Sequence, residues 1–269
     1  CALPISNLSD LAAMGAWPMG IAIALGLTGD TEVEWVEELY RGIAECLKPY
    51  NTPIVGGDVT RSPVISISIT AFGEVRADRS ILRSNCQPGN VIIATGNHGS
   101  SRAGLELLLK PEFRKELPET ENHYLIKAHQ RPKPRLDVLL LLWSLLDECQ
   151  SSILIGGMDS SDGLADAIVQ MCRASKVGAR IESDRIPIAS ALSKISDRSS
   201  ALNWALYGGE DFELVLSMPR PIGEKLVAKI GEGAAIVGTT TSDTQILLTD
   251  SQRINSDREL TQKWAFQHF

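Results

Sequence analysis

A chain of 269 residues with 43% hydrophobic and 22% charged residues has the composition of a folded protein and room for one large domain or two ordinary ones. Its formal net charge of −7 argues against a nucleic-acid surface, which needs clustered Lys and Arg, but is compatible with a polyphosphate ligand if metal ions supply the positive charge. The longest apolar run, Val138–Leu146 interrupted by one serine and closed by Asp137 and Asp147, is far short of the roughly 20 residues that span a bilayer, so no membrane partner is expected.

The five cysteines, Cys1, Cys46, Cys86, Cys149 and Cys172, include no Cys-x-x-Cys pair. A disulfide framework or zinc site is therefore not expected, and a reducing cytoplasm fits best. The first residues show no basic region followed by an apolar stretch, so no signal peptide is expected. They also lack a methionine and enter directly into an apolar stretch, which suggests a missing upstream segment.

In chain order, Ser9 and Asp10 read as a helix start, followed by small residues and closed by Trp17-Pro18. Thr31 reads as the cap of a second helix, with Val33, Val36, Leu39, Tyr40, Ile43, Ala44 and Leu47 at helical spacing. Ile54 and Val55 lead into the turn Gly56-Gly57-Asp58. Ile65, Ile67 and Ile69 alternate with polar residues and predict a half-buried strand to about Val75. The polar stretch Arg76 to Arg79 is the expected junction of an N-terminal domain, 1–78, with a C-terminal domain, 79–269.

Beyond it, Val91 to Ala94 reads as a buried strand, Gly96 to Ser101 as a glycine-rich turn and Ala103 to Leu109 as a helix. The charged, proline-containing segment 110–135 reads as a surface excursion before a Leu-rich helix over 136–148. A strand near Ile153 to Ile155 leads to Asp159-Ser160-Ser161-Asp162-Gly163, a helix over 164–174 and a strand over 178–182. Gly208-Gly209-Glu210-Asp211 precedes a strand from Phe212 to Leu216. A helix over 222–230, strands near 235–239 and 245–249, and an aromatic tail Phe266-Gln267-His268-Phe269 complete the chain. The mixture predicts an α+β or mixed α/β protein of two domains.

Generic signatures are absent: there is no Gly-x-x-x-x-Gly-Lys-Ser/Thr loop, no full dinucleotide loop, no Gly-x-Ser-x-Gly elbow and no zinc-type histidine spacing. The turn 96–101 could present backbone N–H groups to a phosphate, or be a plain tight turn. The informative features are carboxylates beside small residues: Asn7-Leu8-Ser9-Asp10, Gly56-Gly57-Asp58, Asp159-Ser160-Ser161-Asp162-Gly163 and Gly208-Gly209-Glu210-Asp211. Mg²⁺ is commonly held by one or two carboxylates, waters and substrate phosphates. Any one of these turns alone is explained as well by helix capping.

Together they carry a resemblance. Asn7 to Ala16, Gly56-Gly57-Asp58, Leu82-Arg83-Ser84, Ser161-Asp162-Gly163-Leu164, Gly208 to Leu214 and Phe266 to Phe269 resemble, in order, the motifs of the thiamine-monophosphate kinases. The resemblance runs from Asn7 to Phe269. It implies the two-domain aminoimidazole ribonucleotide synthetase-like fold, a homodimer formed by the N-terminal domain, and Mg²⁺-dependent transfer of a phosphoryl group from ATP to thiamine monophosphate. It further implies Asp10, Asp58, Asp159 and Asp162 as ligands of several Mg²⁺ ions, and Tyr40, Gly57, Asp58, Arg83 and Ser161 as ATP contacts. Glu210 and Phe266 are implied as thiamine-phosphate contacts, and Asp162 and Arg83 as the residues closest to the chemistry.

Two departures stand out. The family carries further metal-binding acidic residues and a substrate-contacting histidine upstream of its Asn-Leu-Ser-Asp segment, and the tail has Ala265 where glycine is usual. A chain without the upstream segment is expected to be poorly active. Two alternative readings are another ATP-dependent synthetase of the same superfamily and a non-catalytic nucleotide-binding fragment.

Overall fold

The computed structural model describes residues 2–149, 153–250 and 257–262. Its N-terminal part comprises α1 (Ala2–Ala13), β1 (Trp17–Leu27), α2 (Val33–Leu47), β2 (Ile54–Arg61) and β3 (Ser66–Glu74). The three strands order as β2-β1-β3, with β1 parallel to β2 and antiparallel to β3. Large and small residues alternate along β1, so Ile21, Ile23 and Leu25 share one face. They are buried with Leu8 of α1 and Ile43 and Leu47 of α2. The other face carries Ala22, Ala24, Gly56, Asp58, Ser68 and Thr70 in register and is uncovered. The strand predicted from the Ile65–Ile69 alternation is β3, with Ile67 and Ile69 half-buried as expected, whereas Ile65 precedes the strand and is exposed.

The second part contains β4 (Val91–Ala94), α3 (Ser100–Leu109), α4 (Glu119–Gln130), α5 (Leu136–Cys149), β5 (Gly156–Asp159), α6 (Leu164–Ser175) and β6 (Gly178–Glu182). It continues with α7 (Leu192–Ile195), α8 (Arg198–Tyr207), β7 (Leu214–Met218), α9 (Arg220–Ile230), β8 (Ala235–Thr241), β9 (Ile246–Thr249) and β10 (Arg258–Glu259). These strands form one mixed sheet, β10-β9-β6-β8-β4-β7-β5, with helices on both faces. Ile92, Ala94 and Val215 pack against α6 and α8, whereas Val91, Ile93, Leu214 and Leu216 pack against α5 and α9. Burial on both faces explains why β4 and β7 read as continuous apolar runs.

α1 joins the two parts. Its Leu8 belongs to the small-sheet core, while Ala12 and Ala13 sit in the α5 core beside Ile81. Gly15 follows at φ +77°, where a Cβ would meet the Arg79 carbonyl and Trp143; only glycine turns here without strain. The Ile81 N–H donates to the Met14 carbonyl (3.1 Å) and Arg79 lies over Trp143, so the polar stretch 76–79 is anchored at Arg79 while 76–78 stay exposed.

Several local expectations need correction. Ser9 and Asp10 lie near the end of α1, not at its start, because the apolar residues before them already form its buried face. Trp17-Pro18 opens β1 instead of merely ending a helix; its small residues concealed the period-two signal. The residue preceding α2 is Glu32, and Thr31 pairs instead with the Thr28 hydroxyl (2.9 Å). Gly56-Gly57-Asp58 is strand, not turn, since pairing with β1 supplies its backbone partners. The β5 ladder begins at Gly156, after the predicted 153–155, and β7 begins at Leu214. Segment 110–135 is no bare excursion: α4 packs on α3, burying Leu117 and Leu125 with Leu107.

Candidate active site

β5 ends at Asp159, which α1 covers from the N-terminal side. The Ser9 hydroxyl donates to Asp159 Oδ2 at 2.8 Å, and the Ser161 hydroxyl lies 3.4 Å from Oδ1. The first of these bonds joins segments 150 residues apart. Burial raises the Asp159 carboxyl to about 6; the Ser9 bond opposes this and the nearby Asp10 charge reinforces it. Asp10, half-buried, is also raised by burial, with the Arg83 charge partly offsetting the effect. Arg83 is exposed in a single-turn helix and donates to Gln170 Oε1 (3.1 Å).

Ser160 points the other way, into the protein. His98 is buried, and burial lowers it to about 4, so it is neutral at pH 7. Its Nδ1 faces the Gly96 carbonyl (2.9 Å), which can only accept; Nδ1 therefore carries the proton and Nε2 accepts from the Ser160 hydroxyl (3.1 Å). Asp162 occupies the turn before α6, partly exposed, and Gly163 opens that helix at φ +107°.

The loop after α8 joins this turn. The Glu210 N–H donates to the Ser161 carbonyl at 2.7 Å. Glu210 and Phe212 adopt φ of +60° and +52°, which non-glycine residues hold only where surrounding contacts enforce it. Asp211 between them is half-buried, and desolvation pushes its carboxyl up to about 7, although it accepts from the N–H groups of Gly99 (2.7 Å) and Ser101 (2.9 Å). Those N–H groups open α3, so the turn 96–101 is capped by a carboxylate and its amides do not face an open phosphate site. Two residues on, Glu213 is buried in an ion pair with Arg135, and it accepts from the Thr95 hydroxyl (2.7 Å).

Tyr40, Gly57 and Asp58 lie elsewhere. With Ile54, Val55, Gly56 and Val59 they line an open depression of about 500 Å³ beside β2. Asp58 is exposed, and its Oδ1 accepts from the Val59 N–H (2.9 Å). Gly57 faces β1 so closely that a Cβ there would collide with the Ile23 carbonyl oxygen. Among the described residues no three of His, Cys, Asp and Glu are grouped to hold a metal. The protein groups alone therefore do not bring Asp10, Asp58, Asp159 and Asp162 to one point. Phe266 lies outside the described residues.

The sequence reading missed the buried partners: Ser9 and His98 around the β5 turn, Asp211 as a helix cap, His129 against Glu210, and the Arg135–Glu213 pair. Ser9 and Asp211 stood in quoted motifs, so a signal existed for them. His129 and Arg135 lie in the segment read as an excursion, and neither carried one.

The fold and this turn-built site define a protein of the AIR synthase-related class. The N-terminal domain model of AIR synthase-related proteins matches residues 4–75 and the C-terminal domain model matches residues 87–250. The thiamine-monophosphate kinase of Synechococcus elongatus is 45% identical over 267 residues, which cover 98% of this chain and 77% of that protein. Among solved structures, the thiamine-monophosphate kinase from Stenotrophomonas maltophilia superposes with a TM-score of 0.77 at 28% identity, covering 91% of this chain and 76% of the other. AaThiL complexed with AMPPCP and TMP superposes with a TM-score of 0.76 at 28% identity, covering 98% and 78%. The chain belongs to the thiamine-monophosphate kinase family.

Proposed function

We propose that this chain transfers the γ-phosphoryl group of ATP directly and in line to a phosphate oxygen of thiamine monophosphate, forming thiamine diphosphate and ADP. The observation that carries this reading is the buried Ser9–Asp159 bond, which draws the Asn-Leu-Ser-Asp and Asp-Ser-Ser-Asp segments into one acidic site beside Arg83. Membership of the kinase family, and the AMPPCP and TMP bound by AaThiL, point to a nucleotide and thiamine monophosphate as the two ligands.

Asp10 and Asp159 fit a hard divalent cation. Both are carboxylates raised by burial, and the Asp10 charge adds to the shift at Asp159, so a cation beside them would relieve the strain of holding both ionised. Asp162 and Asp58 would complete the protein ligands, with substrate oxygens and waters filling the remaining positions. Mg²⁺ bound there supplies charge neutralisation between two anionic phosphates.

The chain's own residues do the rest. Arg83 offers a planar, permanently charged fork to phosphate oxygens. The depression with Tyr40, Gly57 and Asp58 takes nucleotide, as Ser161 does at the turn, and Glu210 and Phe266 contact the thiamine moiety. No general base is required, because a phosphate monoester with a second pKa of about 6 is already largely dianionic at pH 7. Catalysis is then alignment and electrostatics, as in phosphoryl transfer generally.

The same proposal includes an N-terminal domain, 1–78, that pairs with a second copy, leaving 79–269 as the second domain. The uncovered side of the small sheet, with Phe72 exposed in line with Ser68 and Thr70, supports pairing there. The buried thiols of Cys86 and Cys172 fit a reducing cytoplasm.

Titrating ATP by calorimetry with and without Mg²⁺, then assaying thiamine monophosphate against other acceptors, tests the reading. Mg²⁺-dependent ATP binding and turnover confined to thiamine monophosphate are expected. Equal affinity in EDTA would overturn the metal-bridged site, and turnover of another acceptor alone would favour a different synthetase of this fold.

A further inference from the structure

The second half of segment 110–135 forms α4, which ends beside the Glu210 loop. His129, in its last turn, places Nδ1 at 3.1 Å from the Ser101 hydroxyl and 3.5 Å from Glu210 Oε2. The Ser101 N–H in turn donates to Asp211 at 2.9 Å, and Asp211 is the residue next to Glu210. Hydrogen bonds thus link His129 through Ser101 to Asp211, and the approach of His129 to Glu210 closes the ring along the chain. Close approach of α3 and α4 makes it possible. Gly104 lies under α4, where a Cβ would collide with the Leu125 carbonyl and come within 3.1 Å of His129 Cβ.

The arrangement is directional. The His129 side chain is 21% exposed and the Glu210 side chain 54%, so the imidazole backs a carboxylate that faces out of the protein. The Glu210 N–H is fixed to the Ser161 carbonyl, which sets this carboxylate at one side of the proposed phosphate site. A free glutamate side chain samples many rotamers and surrenders that freedom on binding; one with an imidazole nitrogen 3.5 Å from its carboxylate has fewer to lose.

We infer that His129 is a positioning residue for the acceptor. With Ser101 it holds the Glu210 carboxylate ready for the cationic, nitrogen-rich end of the acceptor while the acceptor's phosphate reaches the Asp159 turn. This rests on the reading that Glu210 contacts thiamine monophosphate. Because the restraint is in place before binding, its loss raises KM for the acceptor and leaves the ATP side unchanged.

Initial rates on the full chain, varying thiamine monophosphate and ATP separately with Mg²⁺ present, test it in His129→Ala, His129→Asn, Ser101→Ala, Glu210→Gln and the Glu210→Gln/His129→Ala double variant. His129→Ala is expected to raise KM for thiamine monophosphate about tenfold, the scale of one charge-assisted contact, with kcat and KM for ATP within about twofold. His129→Asn, whose amide nitrogen can stand in for Nδ1, should recover most of that loss, and Ser101→Ala should show a smaller rise of the same kind. In the Glu210→Gln background, His129→Ala should add almost nothing. A parallel rise in both KM values, or a full His129 effect persisting without the Glu210 carboxylate, overturns the inference while leaving the role of Glu210 intact. An unchanged acceptor KM in Glu210→Gln overturns the role of Glu210 itself, and the inference with it.

Discussion

Asp58 and Asp159 are proposed for the same task, yet their surroundings differ in almost every respect. Asp58 projects from an uncovered strand face, and its one described hydrogen bond comes from the neighbouring N–H. Asp159 is 3% exposed, takes the Ser9 hydroxyl and is held well above the usual carboxylate range by burial. The exposed carboxylate is hydrated and movable until a ligand arrives. The buried one is fixed in advance, in a setting where charge acts more strongly because water is excluded. The two regions of the site should therefore respond to mutation in different ways.

The largest difference is expected at Asp159. Asp159→Asn keeps the shape and the acceptor for Ser9 but removes the charge, so kcat should fall on the order of 100- to 1000-fold. Folding should be retained, because a buried carboxylate disfavoured by its surroundings is exchanged for a neutral group. Near-normal turnover would reduce Asp159 to a structural acceptor.

Gly57→Ala tests the closeness of β2 to β1. A methyl group directed at the Ile23 carbonyl should shift the strand, cost on the order of 2 kcal/mol and weaken ATP binding together with stability. Urea unfolding and calorimetry on the same samples would show it; an unchanged unfolding midpoint would mean that the edge strand yields without cost.

A smaller and cleaner effect is expected at Asp58. Asp58→Asn should leave the melting temperature unchanged, as exposed substitutions usually alter stability by no more than about 0.5 kcal/mol. It should lower kcat/KM for ATP about tenfold. If the variant matched Asp159→Asn in activity, the distinction between a fixed and a movable ligand would fail.

The smallest effect belongs to Asp211, more exposed than Asp159 and engaged as a helix cap. Burial raises it to about 7, so the folded state keeps a proton that the unfolded chain releases near pH 4. Folding takes up that proton between these values, and the contribution of Asp211 to stability declines as pH rises from about 4 to about 7. Asn does not titrate, although its one amide oxygen replaces only one of the two carboxylate acceptors. The stability of Asp211→Asn relative to the parent should therefore improve across that window, as measured by denaturant midpoints at several pH values. A constant difference would mean that the two backbone N–H bonds outweigh burial.

The sequence alone was enough for the family, the α+β class and most elements of the second sheet, because those signals are local. The Ile65–Ile69 alternation, the apolar run at 91–94, the Leu-rich helix and the carboxylate motifs are all read within a few residues. Most tentative carboxylates did fall at the ends of elements, but Asp58 did not, and Asp10 lies in the last turn of a helix rather than at its start. β1 escaped notice because alternation of isoleucine with alanine and glycine contrasts weakly in hydrophobicity. α4 escaped because Leu117 and Leu125 become buried only where α3 approaches.

Relations between distant residues needed the tertiary structure. Which serine meets Asp159, which carboxylate closes α3 and which imidazole stands behind Glu210 are contacts between segments far apart in the chain, up to 150 residues. No local propensity encodes such contacts. They arise when burial of α1 against both sheets, and of α4 against α3, brings polar groups together away from water, where each must find a partner. Motifs in the sequence were sufficient to identify the family. Packing alone determined which of the charged groups are held in place before the substrates arrive.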